Sequence, residues 1–197
     1  MLAFTRTQAG APVGGATMLR LPAGLTQVHV RLSAALLADP DAVRWHEFAV
    51  GSINEGNGGQ MIYQLSSNPP VGATVIDVSY DPANASCPGF RGYTSWRLSG
   101  STITSASVVY CASDAPRSPT VVHELGHTFG LQHSPSTPDV MFPTFVAARG
   151  ETFTPRERLL MRLMLQRSPG TLFPDNDRDT TGATSTRTET IRCPIGS

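Results

Sequence analysis

The sequence predicts an α/β domain built on a mixed sheet, and three observations support this prediction. Alternating apolar and polar residues at 28–32 predict a first strand. Asp39 followed by Pro40 is typical of a helix start, and apolar residues continue beyond it. The runs at 61–65 and 73–80 then predict two further strands. Strand, helix, strand, strand is the opening expected of an α/β domain with a mixed sheet.

The middle of the chain predicts a hairpin closed by a disulfide. Residues 90–111 have the composition of two strands, interrupted by a turn at 99–100. Cys87 and Cys111 lie almost symmetrically about this turn, so a hairpin would bring them together. A disulfide requires α-carbons within about 7 Å of each other. We therefore expect a Cys87–Cys111 disulfide, with two free thiols as the alternative, and Cys193 is left over.

Two helices are predicted after the hairpin. Ser118 is a good N-cap, and Pro119 suits the first position of the helix that follows. Gly130 offers the left-handed conformation that ends a helix. A second helix begins near Thr154, which forms a capping-box pattern with Glu157 three residues later.

The composition limits the classes of partner. The chain has 197 residues, and its 15 basic and 15 acidic side chains give a formal net charge of zero. The sequence has no basic patch that would predict nucleic-acid binding, and it has no apolar run long enough to span a membrane. We expect a monomer with three parts: a poorly ordered N-terminal extension (1–25), a folded domain (26–173) and a polar, loosely attached C-terminal tail (174–197).

The eleven residues 123–133 predict a metal site. On a helix, His123 and His127 lie one turn apart on the same face, where both imidazoles can bind one ion. A chain turn at Gly130 allows His133 to return as a third ligand. Three nitrogen ligands and one open position that holds water are typical of catalytic zinc. Glu124 lies beside this position, so we expect it to act on the water without being a ligand.

The pattern His-Glu-x-x-His-x-x-Gly-x-x-His resembles the zinc signature of the metzincin metalloendopeptidases. Ser134, directly after the third histidine, and the Met-aromatic-Pro sequence at 141–143 most resemble the matrixin (matrix-metalloproteinase-like) group. The resemblance implies that Met141 lies in a tight turn beneath the zinc. It also implies a metzincin-like catalytic domain with a twisted, mostly parallel sheet, an antiparallel edge strand, an active-site helix and a C-terminal helix.

The resemblance implies a reaction and a substrate pocket. It implies hydrolysis of internal peptide bonds in proteins or peptides by a zinc-bound water that Glu124 activates. The segment after the methionine turn forms the wall of an apolar pocket for the residue after the scissile bond. The corresponding residues here are Phe142, Pro143, Thr144 and Phe145. We expect the substrate to lie extended along an edge strand near residues 92–96.

Several matrixin features are missing from this sequence. Matrixins hold a second zinc and calcium ions in loops rich in His and Asp, but only His29 and His46 lie outside the signature. We therefore expect one zinc ion. The acidic run at 175–179 resembles the start of a calcium loop, but Thr186 stands where the loop needs a glutamate. Calcium binding is therefore not supported.

The sequence leaves two alternatives for how such an enzyme would be kept inactive. Matrixin zymogens are silenced by a cysteine in an N-terminal propeptide, and residues 1–60 contain no cysteine. The pair Arg192-Cys193 lies at the opposite end, where a thiolate could bind the zinc. A tail cysteine without a role is the favoured alternative.

Location and activity each leave an alternative. Residues 1–15 do not have the pattern of a signal peptide, yet the family and the cysteines lead us to expect a secreted, extracellular protein. The rival functions are a catalytically silent zinc-binding module that acts by binding proteins, and an enzyme held latent by its tail or by oligomerisation.

Overall fold

The chain folds around one six-stranded sheet, which the computed structural model describes together with four helices over residues 19–167 and 186–195. The elements in chain order are β1 (Gln27–Leu32), α1 (Ala34–Leu37), α2 (Pro40–Gly56), β2 (Ile62–Leu65), β3 (Val75–Tyr80), β4 (Phe90–Ser99), β5 (Thr102–Tyr110), a short 3-10 helix (Ala115–Arg117), α3 (Thr120–Phe129), α4 (Pro155–Leu165) and β6 (Thr186–Pro194).

The strand order is β2-β1-β3-β5-β4-β6. The first four of these strands are parallel, whereas β4 runs antiparallel to β5 and β6 runs antiparallel to β4. This confirms the predicted α/β fold with a mostly parallel sheet and antiparallel pairing at one edge. The expected open edge near residues 92–96 is wrong, however, because β6 pairs with β4 along its outer side.

The core lies where the inner strands meet α2 and α3. Strand β3 shows which face of the sheet is covered: Ile76 and Val78 are buried, whereas Asp77 between them is exposed. The fully buried side chains of this core include Val28, Val30, Ile53, Ile76, Val108, Val121 and Leu125. Burial of these side chains fixes α3, the helix with the predicted metal ligands, against the sheet.

Helix starts follow the capping residues with one shift. Asp39 caps α2 through its side chain, and Thr154 forms the predicted capping box at α4. Helix α3 begins at Thr120 and not one residue after Ser118 as expected, with Pro119 in the cap position. The Ser118 hydroxyl accepts from the Thr120 amide at 3.3 Å but donates to the preceding 3-10 turn, which displaces the helix start.

Both chain ends contribute to the domain where they are described. Residues 1–18, 168–185 and 196–197 lie outside the described residues, and the acidic run 175–179 is among them. Leu19 and Leu21, which fall within the expected extension, are buried in the core. The expectation of a loosely attached tail is wrong for Thr186–Pro194, because this segment forms β6.

The predicted disulfide is confirmed. Cys87 and Cys111 are bonded, with their α-carbons 5.3 Å apart, at the base of the β4–β5 hairpin. Among the residues described here, no helix is long and apolar enough to cross a membrane.

Candidate metal centre

Helix α3 carries His123 and His127 into the interior of the protein. Every residue of this ten-residue helix is buried. The two imidazoles lie one turn apart on one face, with their Nε2 atoms 3.1 Å from each other. The structure therefore has His123 and His127 on one side of the helix, as their spacing predicted.

Backbone carbonyls orient the two rings. Nδ1 of His123 donates to the carbonyl of Val140 at 2.7 Å, and Nδ1 of His127 donates to the carbonyl of Leu131 at 2.6 Å. Because each Nδ1 carries the proton, each Nε2 is left with its lone pair facing the same point. Such contacts to the far nitrogen are what fix metal-binding histidines in one tautomer and orientation.

Gly130 turns the chain so that His133 can reach the same point. It ends α3 in the left-handed conformation, with φ of 110°. A Cβ at this position would lie 2.5 Å from the carbonyl oxygen of Leu19, so both the conformation and the space require glycine. The His133 ring then lies 5.3 Å from that of His123 and 4.9 Å from that of His127, between ring centroids.

A fourth side chain, Cys193 of β6, completes the group. Its Sγ lies 3.0 Å from Nε2 of His123, 3.7 Å from Nε2 of His127 and 3.6 Å from Nε2 of His133. The four potential ligand atoms are all within 4.8 Å of one another. The sequence left open a zinc-binding thiolate at Cys193 but favoured a tail cysteine without a role, because nothing local relates it to the histidines. The structure instead buries this thiol among the three imidazoles.

The spacing of these atoms fits a tetrahedral zinc ion. Zinc bonds of about 2.1 Å to nitrogen and 2.3 Å to sulfur, at tetrahedral angles, require roughly 3.4 Å between nitrogens and roughly 3.6 Å between nitrogen and sulfur. The nitrogen pair at 3.1 Å and the three sulfur contacts of 3.0–3.7 Å are close to these values. Imidazole nitrogen and thiolate sulfur are also the donors that zinc prefers.

Burial keeps the three imidazoles neutral. It lowers the pKa of His123 and His127 well below 6.5, and that of His133 to about 4. The neighbouring histidines and Arg149 act in the same direction. Neutral imidazole is the form that binds a metal ion, so the group is ready to bind one near neutral pH.

Glu124 is buried directly beside the histidines. Oγ1 of Thr94 donates to its Oε2 at 2.7 Å, whereas Oε1 has no hydrogen-bond partner among the described residues. Burial raises the pKa of Glu124 to about 7, although the Cys193 thiol and the Thr94 hydroxyl act in the opposite direction. Gly92 leaves room for this carboxylate, since a Cβ there would lie 3.1 Å from Oε1.

Met141 lies against α3 at Gly126. A Cβ at Gly126 would come within 2.6 Å of the Met141 sulfur, so the glycine allows this close approach. Glu157 holds the turn from the other side by accepting from the amide of Met141 at 2.9 Å. Sequence reasoning noticed Glu157 only as a capping residue and missed this second role, although a buried acid in a helix start was a signal.

Two arginines lie beside the predicted pocket residue Phe145, and the sequence did not predict them there. The Phe145 ring contacts two guanidinium groups, with the central carbon of Arg91 at 4.5 Å and that of Arg149 at 5.2 Å from the ring centroid. Arg149 is buried and donates to the carbonyl of Phe142 at 3.4 Å. Its Nε and Nη2 atoms have no partner in the described part of the chain.

Comparisons with known proteins support the predicted resemblance. Residues 90–158 match the family model for Matrixin (peptidase M10), which confirms the resemblance for this segment, less than half of the chain. No curated protein matches the chain in sequence. Among solved structures, the chain is similar to metalloproteinase-II from Bacteroides fragilis, with 14% identity and a TM-score of 0.46 over 76% of this chain and 55% of that protein. The chain thus spans little more than half of that protein's length, and a likeness this distant supports no argument by itself.

Proposed function

We propose that this chain, which resembles the matrixins over residues 90–158, is a zinc-dependent endopeptidase of proteins or peptides. One observation supports this proposal above all others. Three neutral imidazoles converge on one point from His123, His127 and His133, and the carboxylate of Glu124 lies directly beside it. A purely structural site has no need of a buried acid with an unpaired oxygen next to its ligands.

The three imidazoles would hold a single zinc ion through their Nε2 atoms. When bound, zinc polarises a peptide carbonyl and lowers the pKa of a water ligand towards neutrality. The contacts from Nδ1 to the carbonyls of Val140 and Leu131 keep the ligands in place. Met141 supports the helix beneath them, and rigidity of this kind preserves the geometry of an active site.

Glu124 acts as the general base and then as the general acid. Its Oε2 is held by Thr94, so Oε1 is the atom that accepts the proton from the attacking water. The same atom then delivers that proton to the nitrogen of the leaving amine. Burial raises the pKa of Glu124, which favours both steps, because a group that takes up and releases protons works best when its pKa is near the working pH.

In the place that β6 occupies in this structure, the substrate lies extended along β4 and places the side chain after the scissile bond near Phe142, Pro143, Thr144 and Phe145. Strand pairing provides affinity through the backbone, and the pocket provides selectivity. The aromatic rings give the pocket an apolar wall. Arg149 adds a positive charge beside Phe145, so the pocket also has a group that can pair with an anionic side chain.

A catalytically silent zinc-binding module is the second candidate. The specific observation in its favour is that β6 covers β4 and that the Cys193 thiol lies at the metal position. The buried Glu124 favours the enzyme. The disulfide at Cys87 and Cys111 supports the further proposal of a secreted protein, because disulfides persist in oxidising compartments. We propose a monomer.

The test is a digest of casein and of a peptide library. The full chain and the Cys193→Ser variant are each assayed as prepared, after chelation, and after chelation followed by added zinc. We expect chelator-sensitive cleavage of internal bonds that zinc restores. If neither protein shows it, the endopeptidase proposal is wrong, and the silent module is the better explanation.

A further inference from the structure

We infer that the segment Thr186–Pro194 is a built-in inhibitor, in which β6 fills the substrate position and Cys193 is the fourth ligand of the metal. This inference rests on the proposed function of the same centre. It assigns a role to the cysteine that the endopeptidase reaction does not use.

Strand β4 is paired on both of its edges. A strand has two sides with backbone donors and acceptors, and β4 pairs with β5 on one of them. On the other side, β6 pairs along nearly the whole length of β4, from Ser99 opposite Thr186 to Phe90 opposite Pro194. A peptide substrate therefore has no free side of β4 to pair with until β6 leaves.

Few buried side chains hold β6 in place. Its other side chains are exposed or only partly buried, whereas Cys193 is 2% exposed. Side-chain contacts such as that between Ser95 and Thr190 hydroxyls are polar and lie at the surface. Backbone pairing, the buried thiol and the partly buried Ile191 thus provide most of the attachment.

The pairing register of β6 with β4 brings the Cys193 thiol to the candidate metal position. Cys193 is paired with Gly92, the residue whose missing Cβ leaves room for Glu124. The thiol consequently lies at the point where three Nε2 atoms converge, beside the general base. A fourth protein ligand converts an open catalytic site into a closed four-ligand site, and such sites are structural.

The thiol approaches from the C-terminal end of the chain. His123 and Cys193 are separated by 70 residues, and the cysteine arrives on a strand that lies where the substrate would lie. Inhibition therefore has two components that can be measured separately. The strand blocks the peptide site, and the thiol blocks the water site.

Cobalt substitution tests the ligand. Co²⁺ replaces zinc in the full chain, and the absorption spectrum is recorded for this protein and for Cys193→Ser. Thiolate bound to Co²⁺ gives a sulfur-to-metal charge-transfer band in the near ultraviolet, which we expect in the full chain and not in the variant. The other two cysteines form the disulfide, so Cys193 is the one thiol that can give this band. Binding of Co²⁺ without the band overturns the inference and leaves the proposed function intact, whereas no metal binding overturns the proposed function.

Peptidase assays test the inhibition. We expect Cys193→Ser to cleave a library peptide at least tenfold faster than the full chain, while Thr188→Ser, at an exposed position of β6, changes little. A synthetic peptide with residues 186–195 should inhibit Cys193→Ser, and the same peptide with serine for cysteine should inhibit at least tenfold less. Equal activity of the full chain and Cys193→Ser, or equal inhibition by the two peptides, overturns the inhibitory role of the thiol.

Discussion

Oγ1 of Thr94 on β4 donates to Oε2 of Glu124 on α3 at 2.7 Å, and so joins strand β4 to the proposed general base. This hydrogen bond occupies one carboxylate oxygen, and the other has no hydrogen-bond partner among the described residues. The strand proposed to bind substrate and the group proposed to move the proton are thereby held in one geometry.

Replacement of Glu124 by alanine should abolish turnover without loss of metal. A general base contributes about 10²–10⁴-fold to a rate, so we expect a loss of this size in the Cys193→Ser background. Zinc content, measured after dialysis, should be unchanged because Glu124 is not among the ligands. Glu47→Ala, at an exposed position on α2, is the control. A Glu124→Ala protein with substantial turnover would show that another group acts as the base.

Replacement of His133 by alanine should weaken zinc binding. Loss of a group that hydrogen-bonds to a metal ligand costs about 10–100-fold in metal affinity. Loss of a ligand itself should therefore cost at least about 100-fold. Competition with a chromophoric chelator measures the dissociation constant. His29→Ala, which lies outside the ligand cluster, should leave the affinity as it is. An unchanged affinity in His133→Ala would place the third ligand elsewhere.

Replacement of Glu157 by alanine should destabilise the protein through the methionine turn. The carboxylate accepts from the backbone amides of Met141 at 2.9 Å and Thr154 at 2.7 Å, and its removal leaves one buried and one partly buried donor unpaired. At about 1–3 kcal/mol for each, we expect a loss of about 2–6 kcal/mol in the free energy of unfolding by urea. Glu151→Ala, at an exposed loop position, should stay within about 0.5 kcal/mol of the parent. Equal stability of Glu157→Ala and the parent would contradict this role.

His46 should make the protein less stable in acid. Burial lowers its pKa from 6.5 to about 4 in the folded protein, where it contacts the Tyr110 hydroxyl. The unfolded chain therefore binds more protons between these values, and the free energy of unfolding falls as the pH falls through this window. The expected contribution is about 2 kcal/mol between about pH 7.5 and pH 5.

The measurement is urea unfolding of the parent and of His46→Gln at both pH values. Glutamine does not titrate, so the variant should lose less stability on acidification than the parent does. Subtraction of the two pH dependences removes the contribution of the metal-binding histidines. Identical pH dependences would mean that His46 takes up its proton in the folded protein as readily as in the unfolded chain.

Arg149 should influence the cleavage preference. Its guanidinium is buried beside Phe145 with two nitrogens unpaired in the described part of the chain, and a buried charge is stabilised by an anionic partner. We expect Cys193→Ser to accept acidic as well as large apolar residues after the scissile bond. Adding Arg149→Met should reduce cleavage before acidic residues by about tenfold and retain cleavage before apolar ones.

Peptide-library profiling measures this preference, with Arg44→Met at an exposed position of α2 as the control. A profile that is strictly apolar in both proteins would support the pocket expected from the family and exclude a role for Arg149 in selectivity.

The local features of this protein were predictable from its sequence. Two histidines four residues apart share a helix face, a glycine ends that helix, and a threonine with a glutamate three residues later starts another. Each of these depends on residues within about one turn of each other, where helix geometry alone fixes their relation. The disulfide was predictable for a similar reason, because a hairpin relates its two cysteines.

The relations that decide how the centre is used depend on tertiary structure. Sequence patterns of short period contain no information on contacts between residues 70 positions apart, such as His123 and Cys193. The second role of Glu157 and the position of Arg149 depend likewise on how loops pack over α3. The sequence alone predicted that three histidines and a glutamate lie together. Only the fold decided that a strand from the C-terminal end covers β4, because strand pairing there depends on which backbone edge remains open once the sheet has formed.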